Sequence, residues 1–221
     1  MKTYPHIVPS LLAANFAKLN EDLDAMKTNG ISMIHFDVMD GHFVPNISFG
    51  APVLKSLSRS STLLFDVHLM IAHPEQYAQT FLQAGASILT FHVETINVEK
   101  GLDLIKTIHT HGSKAGISLK PNTDLKTLSP YLQYVDIVLV MGVEPGFGGQ
   151  AFLPSALEKI KQLDALRRQH GYAFLIEVDG GIDHLTGPAC LKAGCDVLVA
   201  GSYLFGHADL ASRLDALTPS S

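Results

Sequence analysis

The sequence predicts an α/β protein, a single TIM-type (β/α)8 barrel, and two observations carry that prediction. Short apolar runs alternate with amphipathic segments along the chain, and runs apolar on both faces indicate a parallel sheet covered by helices. Eight such units fit into 221 residues, roughly 28 residues apiece, which favours closure into a barrel over a doubly wound sheet. No linker, charge block or low-complexity segment precedes the tail Thr218–Ser221, so residues 1–221 are expected to form one catalytic domain.

The first strand is His6 to Leu12. Asn15 is the expected N-cap of a helix whose apolar positions Phe16, Leu19, Leu23 and Met26 keep helical spacing until Gly30 stops it. Strand two covers 31–39 and strand three Leu63 to Leu69, with no helix assigned between them. A helix from Pro74 to about Ala84, a strand over 87–93 and a helix near 98–110 come next. Strand five is Ala115 to Leu119, followed by a short helix from about Asp124 to Leu132. Strand six, Asp136 to Met141, runs into the glycine loop Pro145–Gln150. Pro154 suits the first turn of the following helix; Leu157, Ile160, Leu163 and Leu166 form its core stripe, and Arg167, Arg168 and His170 oppose the negative charge of its C-terminal end before Gly171. Strand seven is Phe174 to Asp179, a helix spans roughly 183–193, strand eight is Val197 to Ala200, and a last helix runs to Ala216.

Composition narrows the partners. The net charge is −5, with both signs scattered and no basic run, so nucleic acid and anionic membrane are poor candidates. Met1–His6 lacks the apolar core of a signal peptide, and no run of eighteen apolar residues exists to span a bilayer. Cys190 and Cys195 are too few for a disulfide framework and read as packing residues. A reduced, cytoplasmic protein is expected.

The chemistry concentrates at strand exits. His35 and Asp37 lie two apart on strand two and so project to one face. His68 ends strand three and Asp179 ends strand seven. All four belong to the C-terminal rim, where barrel enzymes hold their active sites. Two imidazoles and two carboxylates suit one divalent ion, zinc first, with iron(II), manganese or cobalt also accepted. Strands two and seven lie nearly across an eight-stranded barrel, so Asp37 and Asp179 would flank one carbon from opposite sides. An epimerisation needs that arrangement: one group takes a proton from one face and the other returns one to the opposite face, while a metal stabilises the enediolate.

Backbone-rich loops point to a phosphate. Gly180-Gly181 and Gly201-Ser202 follow strands seven and eight, where barrels commonly bind phosphate, and Gly146, Phe147, Gly148 and Gly149 add a third loop. Met39, Met70 and Met141 cluster at strand exits as an apolar lining. His92 and Glu94 leave strand four on one face and are read as hydrogen-bonding groups behind the ligands. Two rivals compete: a Schiff-base aldolase using Lys120, which the open loop Pro121–Thr123 disfavours, and a binding barrel without turnover, which leaves the paired carboxylates unexplained.

Six segments then carry a resemblance along the whole chain: Pro9–Phe16, His35–Asn46, Asp66–Met70, Pro145–Phe152, Glu177–Ile182 and Val199–Ser202. In this order they resemble the ribulose-phosphate 3-epimerase family. The resemblance implies a TIM barrel that interconverts D-ribulose 5-phosphate and D-xylulose 5-phosphate in the pentose phosphate pathway. It implies His35, Asp37, His68 and Asp179 as metal ligands, with Asp37 the proton acceptor and Asp179 the donor in the ribulose-to-xylulose direction. It also implies Ser10 and His68 as substrate contacts, the three glycine loops as the sugar-phosphate cradle with Gly146–Gly149 as a lid, and a homo-oligomer, dimer or hexamer. Gly142, Glu144 and Ala151 depart from the family's usual residues. Related decarboxylases and hexulose-phosphate synthases carry Asp-x-Lys-x-x-Asp where this chain has His35-x-Asp37-x-x-Asp40; without that lysine, proton abstraction is favoured over decarboxylation. A related 3-epimerase substrate such as allulose 6-phosphate stays open.

Overall fold

The computed structural model describes residues 7–218; the expected strand start at His6, the leader reading of Met1–His6 and the tail beyond Thr218 lie outside them. Its eight strands are β1 (Ile7–Pro9), β2 (Met33–Met39), β3 (Leu64–Met70), β4 (Ile88–His92), β5 (Lys114–Leu119), β6 (Ile137–Met141), β7 (Leu175–Asp179) and β8 (Val197–Ala200). All pair in parallel in the order β1-β8-β7-β6-β5-β4-β3-β2. A parallel bridge between Ser10 and His35 joins the two edges and closes the ring. This is the TIM barrel.

Strand alternation sorts the side chains. Ile7, Leu198 and Ala200 join the large apolar layer between barrel and helices, whereas Val8, Val197 and Val199 form a small cluster of their own with Met33. The second set fills the barrel's inside, since neighbours along a strand face opposite ways. By the same period His35, Asp66, Thr90, Ser118 and Glu177 also face in, and all are fully buried. The middle of this barrel is polar, and that is unusual enough to need a use.

The outer layer is α1 (Leu19–Thr28), α2 (Ala51–Ser60), α3 (Pro74–Ala84), α4 (Val98–Thr110), α5 (Ser155–His170), α6 (Thr186–Ala193) and α7 (Leu210–Leu217). Helix α2 went unassigned in the sequence reading: Pro52 opens it and Leu54 and Leu57 are its buried positions, a stripe too short to announce itself. Strand β1 stops at Pro9 because Ser10 Oγ accepts the Leu12 N–H at 3.3 Å and turns the chain into a 3-10 segment. Asn15 does not cap α1. Its side chain accepts from Ala17 N–H at 3.1 Å and its own N–H donates to Asp22 at 2.9 Å, delaying the helix to Leu19 and leaving Phe16 half exposed against Phe49. The helix expected over 124–132 is a 3-10 turn, Leu125–Leu128, yet Leu125, Leu128, Tyr131 and Leu132 are buried, so this short connection still covers its side of the barrel.

Candidate active site

β2 and β3 run in register, with Asp37 beside His68. Their inward side chains meet: His35 Nε2 and His68 Nδ1 each lie 3.2 Å from Asp37 Oδ1. From β7, Asp179 Oδ2 stands 3.9 Å from both imidazole nitrogens. One donor atom from each of His35, Asp37, His68 and Asp179 falls within 4.8 Å of the others, and this cluster could hold a metal ion. The donor set passes a further test. Among the described residues, buried His35 Nε2 has no hydrogen-bond partner, a cost that a cation would relieve. These residues fit the divalent ion expected from the sequence.

Behind the cluster, each imidazole is held from its far side. His35 Nδ1 lies 2.6 Å from Asp66 Oδ2. His68 Nε2 lies 2.9 Å from His92 Nε2, and His92 Nδ1 lies 3.2 Å from Glu94 Oε2. Ser10 Oγ donates to Asp37 Oδ2 at 2.7 Å. Asp66 and Glu177 were missed as site residues. The signal was present: Asp66 is two before His68 and Glu177 two before Asp179, the same spacing that paired His35 with Asp37.

The two inner carboxylates are driven apart. Burial disfavours the charge on Asp37, but the His35 and His68 imidazoles outweigh it and hold that carboxyl far below the usual range. For Asp179, burial and the neighbouring Asp37 charge outweigh both histidines and push it up to about 6. Burial resists protonation of His35, yet Asp37 and Asp66 raise it well above its ordinary value. A pair of acids with opposite displacements is the signature of an acid and a base sharing one site.

Over the cluster opens a cavity of about 690 Å³, lined by Ser10, Asp37, Asp179 and by Met39, Met70 and Met141. Gly146, Phe147, Gly148 and Gly149 line its rim, as do Gly180, Gly181, Gly201 and Ser202. The three glycine loops thus converge on one space. His35 and His68 lie fully buried beneath it and are not among its lining residues. Gly181 has a φ of +68°, and a Cβ there would meet the Phe152 backbone nitrogen at 2.7 Å, so only glycine lets these loops approach so closely. Gly142, one of the departures, donates its N–H to the Asp179 carbonyl at 2.6 Å, and a Cβ on it would meet the Gly180 oxygen at 2.3 Å. Lys120 does not line the cavity; its Nζ sits 4.0 Å from the Phe43 ring centroid, which removes support for the aldolase reading. No helix among the described residues is long and apolar enough to cross a membrane.

A profile of the Ribulose-phosphate 3 epimerase family matches residues 6–205. The chain is 48% identical over 200 residues to the ribulose-phosphate 3-epimerase of Treponema pallidum, covering 90% of each protein. It is 42% identical over 205 residues to that of Bacillus subtilis, covering 92% of this chain and 93% of that one. Among solved structures, 3-keto-L-gulonate-6-phosphate decarboxylase from Vibrio cholerae superposes with a TM-score of 0.71 at 14% identity, over 97% of this chain and 96% of that one. A 3-hexulose-6-phosphate synthase does so with a TM-score of 0.64 at 17% identity, over 95% and 97%. At such identities these two speak for the barrel alone.

Proposed function

This chain belongs to the ribulose-phosphate 3-epimerase family of isomerases, and on that footing we propose how its residues interconvert D-ribulose 5-phosphate and D-xylulose 5-phosphate. The observation that carries the proposal is the meeting of Asp37 and Asp179, from strands nearly across the barrel, in one cluster at the floor of one cavity. His35, Asp37, His68 and Asp179 would hold a single divalent ion, zinc by donor type, with iron(II), manganese or cobalt as substitutes. When bound, it supplies Lewis-acid stabilisation of negative charge on the ketose oxygens.

The chain's own groups perform the rest. Asp37, ionised and aligned by Ser10, takes the C3 proton from one face of the ketose, and the electron pair moves toward C2 to give the 2,3-enediolate. Asp179, whose carboxyl favours its proton, returns one to the opposite face of C3 and inverts it. In the reverse direction the two exchange roles. Met39, Met70 and Met141 keep water from the reacting carbon, which strengthens every charge interaction there. The phosphate lies against the backbone N–H groups of Gly180, Gly181, Gly201 and Ser202, with Gly146–Gly149 closing over the sugar. The chain is one catalytic unit of the pentose phosphate pathway, cytoplasmic, and assembles as a homo-oligomer, dimer or hexamer.

The test is exchange of the C3 proton with deuterated water, D-ribulose 5-phosphate against allulose 6-phosphate. The pentulose should exchange fast and the hexulose slowly. Asp37→Asn and Asp179→Asn should each lose at least about a thousandfold in interconversion, roughly 4 kcal/mol of barrier. A near-wild-type interconversion rate in either variant overturns the two-base assignment, and faster exchange of the hexulose overturns the substrate.

A further inference from the structure

The chain of contacts behind His68 has a direction that the ligand cluster alone does not set. Asp37 Oδ1 lies 3.2 Å from His68 Nδ1, His68 Nε2 lies 2.9 Å from His92 Nε2, and His92 Nδ1 lies 3.2 Å from Glu94 Oε2. Each contact needs one proton between its two atoms. Two neutral imidazoles carry two protons for three contacts. One contact must go without, and it lies at one carboxylate or the other.

The surroundings decide which. Asp37 already accepts from Ser10 on its other oxygen at 2.7 Å, and His35 Nε2 stands 3.2 Å from the oxygen that His68 approaches. Glu94 is placed otherwise. Its Oε1 accepts the Lys120 backbone N–H at 2.7 Å and the Thr123 hydroxyl, and that loop is itself tied down by Lys159 Nζ, at 3.0 Å from the Lys120 carbonyl and 2.7 Å from that of Thr123. The carboxylate is therefore clamped with Oε2 turned to His92, and a carboxylate only accepts. Oε2 calls for a proton on His92 Nδ1, which makes His92 Nε2 an acceptor and puts the His68 proton on Nε2.

We propose that Glu94, acting through His92, selects the tautomer of His68 and so leaves Nδ1 bare toward Asp37 and Asp179. Glu94 and His92 are positioning residues in this scheme. It differs from the arrangement at His35, where Asp66 sits on Nδ1 at 2.6 Å and Nε2 is the nitrogen that faces the cluster. The two ligand imidazoles turn opposite nitrogens to the cluster, each held by a carboxylate outside it, one directly and one through a second ring. The consequence for metal affinity rests on the metal reading given above; the tautomer itself does not.

Glu94→Gln is a sharp probe because it keeps shape and reverses polarity. The Lys120 N–H cannot rotate away, so it holds the amide oxygen on its side and turns the amide NH2 onto His92 Nδ1. The expected outcome, read by nitrogen NMR of the imidazoles in metal-free protein, is a move of the His68 proton from Nε2 to Nδ1. Zinc affinity, titrated against a chelator, should fall roughly 10- to 100-fold. His92→Phe keeps a ring stacked on His68, where the centroids are now 5.0 Å apart, but offers no acceptor, and it should lose zinc affinity to a similar degree. Metal-free wild type with its His68 proton on Nδ1 overturns the proposal. So does Glu94→Gln with the wild-type tautomer, whatever its zinc affinity. Wild type that binds no zinc, manganese or iron(II) but shows the Nε2 tautomer and its reversal in Glu94→Gln defeats the metal reading and leaves the tautomer assignment standing.

Discussion

Asp179→Asn should inactivate the protein and, without metal, stabilise it. Burial and the Asp37 charge raise the Asp179 carboxyl from 3.8 to about 6. The folded state therefore binds that proton more tightly than the unfolded chain. At pH 7.5 both states are ionised, and the folded state carries the whole penalty of about two pH units, roughly 3 kcal/mol at ~1.4 kcal/mol per unit. The penalty shrinks as pH falls below 6 and is gone below the unfolded value near 4. Little is lost in exchange, because the nearest imidazole nitrogens, His35 Nε2 and His68 Nδ1, stand 3.9 Å away. Asparagine removes the charge and keeps the shape, so the chelator-treated variant should gain on the order of 2–3 kcal/mol at pH 7.5 and almost nothing at pH 4. Asp37→Asn is the contrasting perturbation. Its carboxylate accepts from Ser10 at 2.7 Å and faces both imidazoles at 3.2 Å, and removing one member of such a buried set costs roughly 3–5 kcal/mol. Urea unfolding at both pH values, with turnover measured on the same samples, checks the pair. An Asp179→Asn protein less stable than wild type at pH 7.5, or a gain that does not depend on pH, refutes the reasoning.

Two further predictions concern the fold around the site. Acid should weaken the metal-free Asp179→Asn protein, which lacks the opposing relief at that carboxyl, in two stages. Burial, aided by His68 and Lys120 against the pull of Glu94, lowers His92 from 6.5 to about 4, so the unfolded chain gains a proton first and stability drops by roughly 3 kcal/mol as pH falls from 6.5 to 4. For Glu94, burial is outweighed by the bonds from His92, Thr123 and Lys120, which lower it from 4.5 to about 2; its contribution, present above 4.5, is lost as pH falls toward 2, and Glu94→Gln should flatten that second stage in urea titrations. Gly181→Ala forces a side chain into a left-handed φ of +68° and against the Phe152 backbone at 2.7 Å. A cost of roughly 2–4 kcal/mol is expected, with a rise in KM for the phosphorylated ketose larger than the fall in kcat; unchanged thermal stability would count against the close-approach argument.

Much of this molecule could be read before folding because the relevant signals are local. The apolar runs Ile137–Met141 and Val197–Ala200 announce strands by composition alone, and Pro74–Ala84 announces a helix by its spacing and its opening proline. His35, Asp37, His68 and Asp179 could be placed at one rim because, in a parallel barrel, strand direction decides which end of each strand faces the site. Where local signals conflict, the reading failed. Asn15 looks like a helix cap until Asp22 captures its N–H, and α2 buries only Leu54 and Leu57, too small a stripe to stand out.

What the chain order and residue types determined was the set of elements and the inventory of reactive groups. What only the tertiary structure decided was who touches whom across long stretches of sequence. Ser10 reaches Asp37, His35 reaches Asp66, and His68 reaches Glu94 by way of His92. Those contacts exist because parallel pairing lays each strand beside the next across a whole intervening connection, and burial then makes each unpaired proton or lone pair expensive. The acidities of Asp37 and Asp179 differ for that reason alone: the same side chain, in one pocket, sorted by its neighbours.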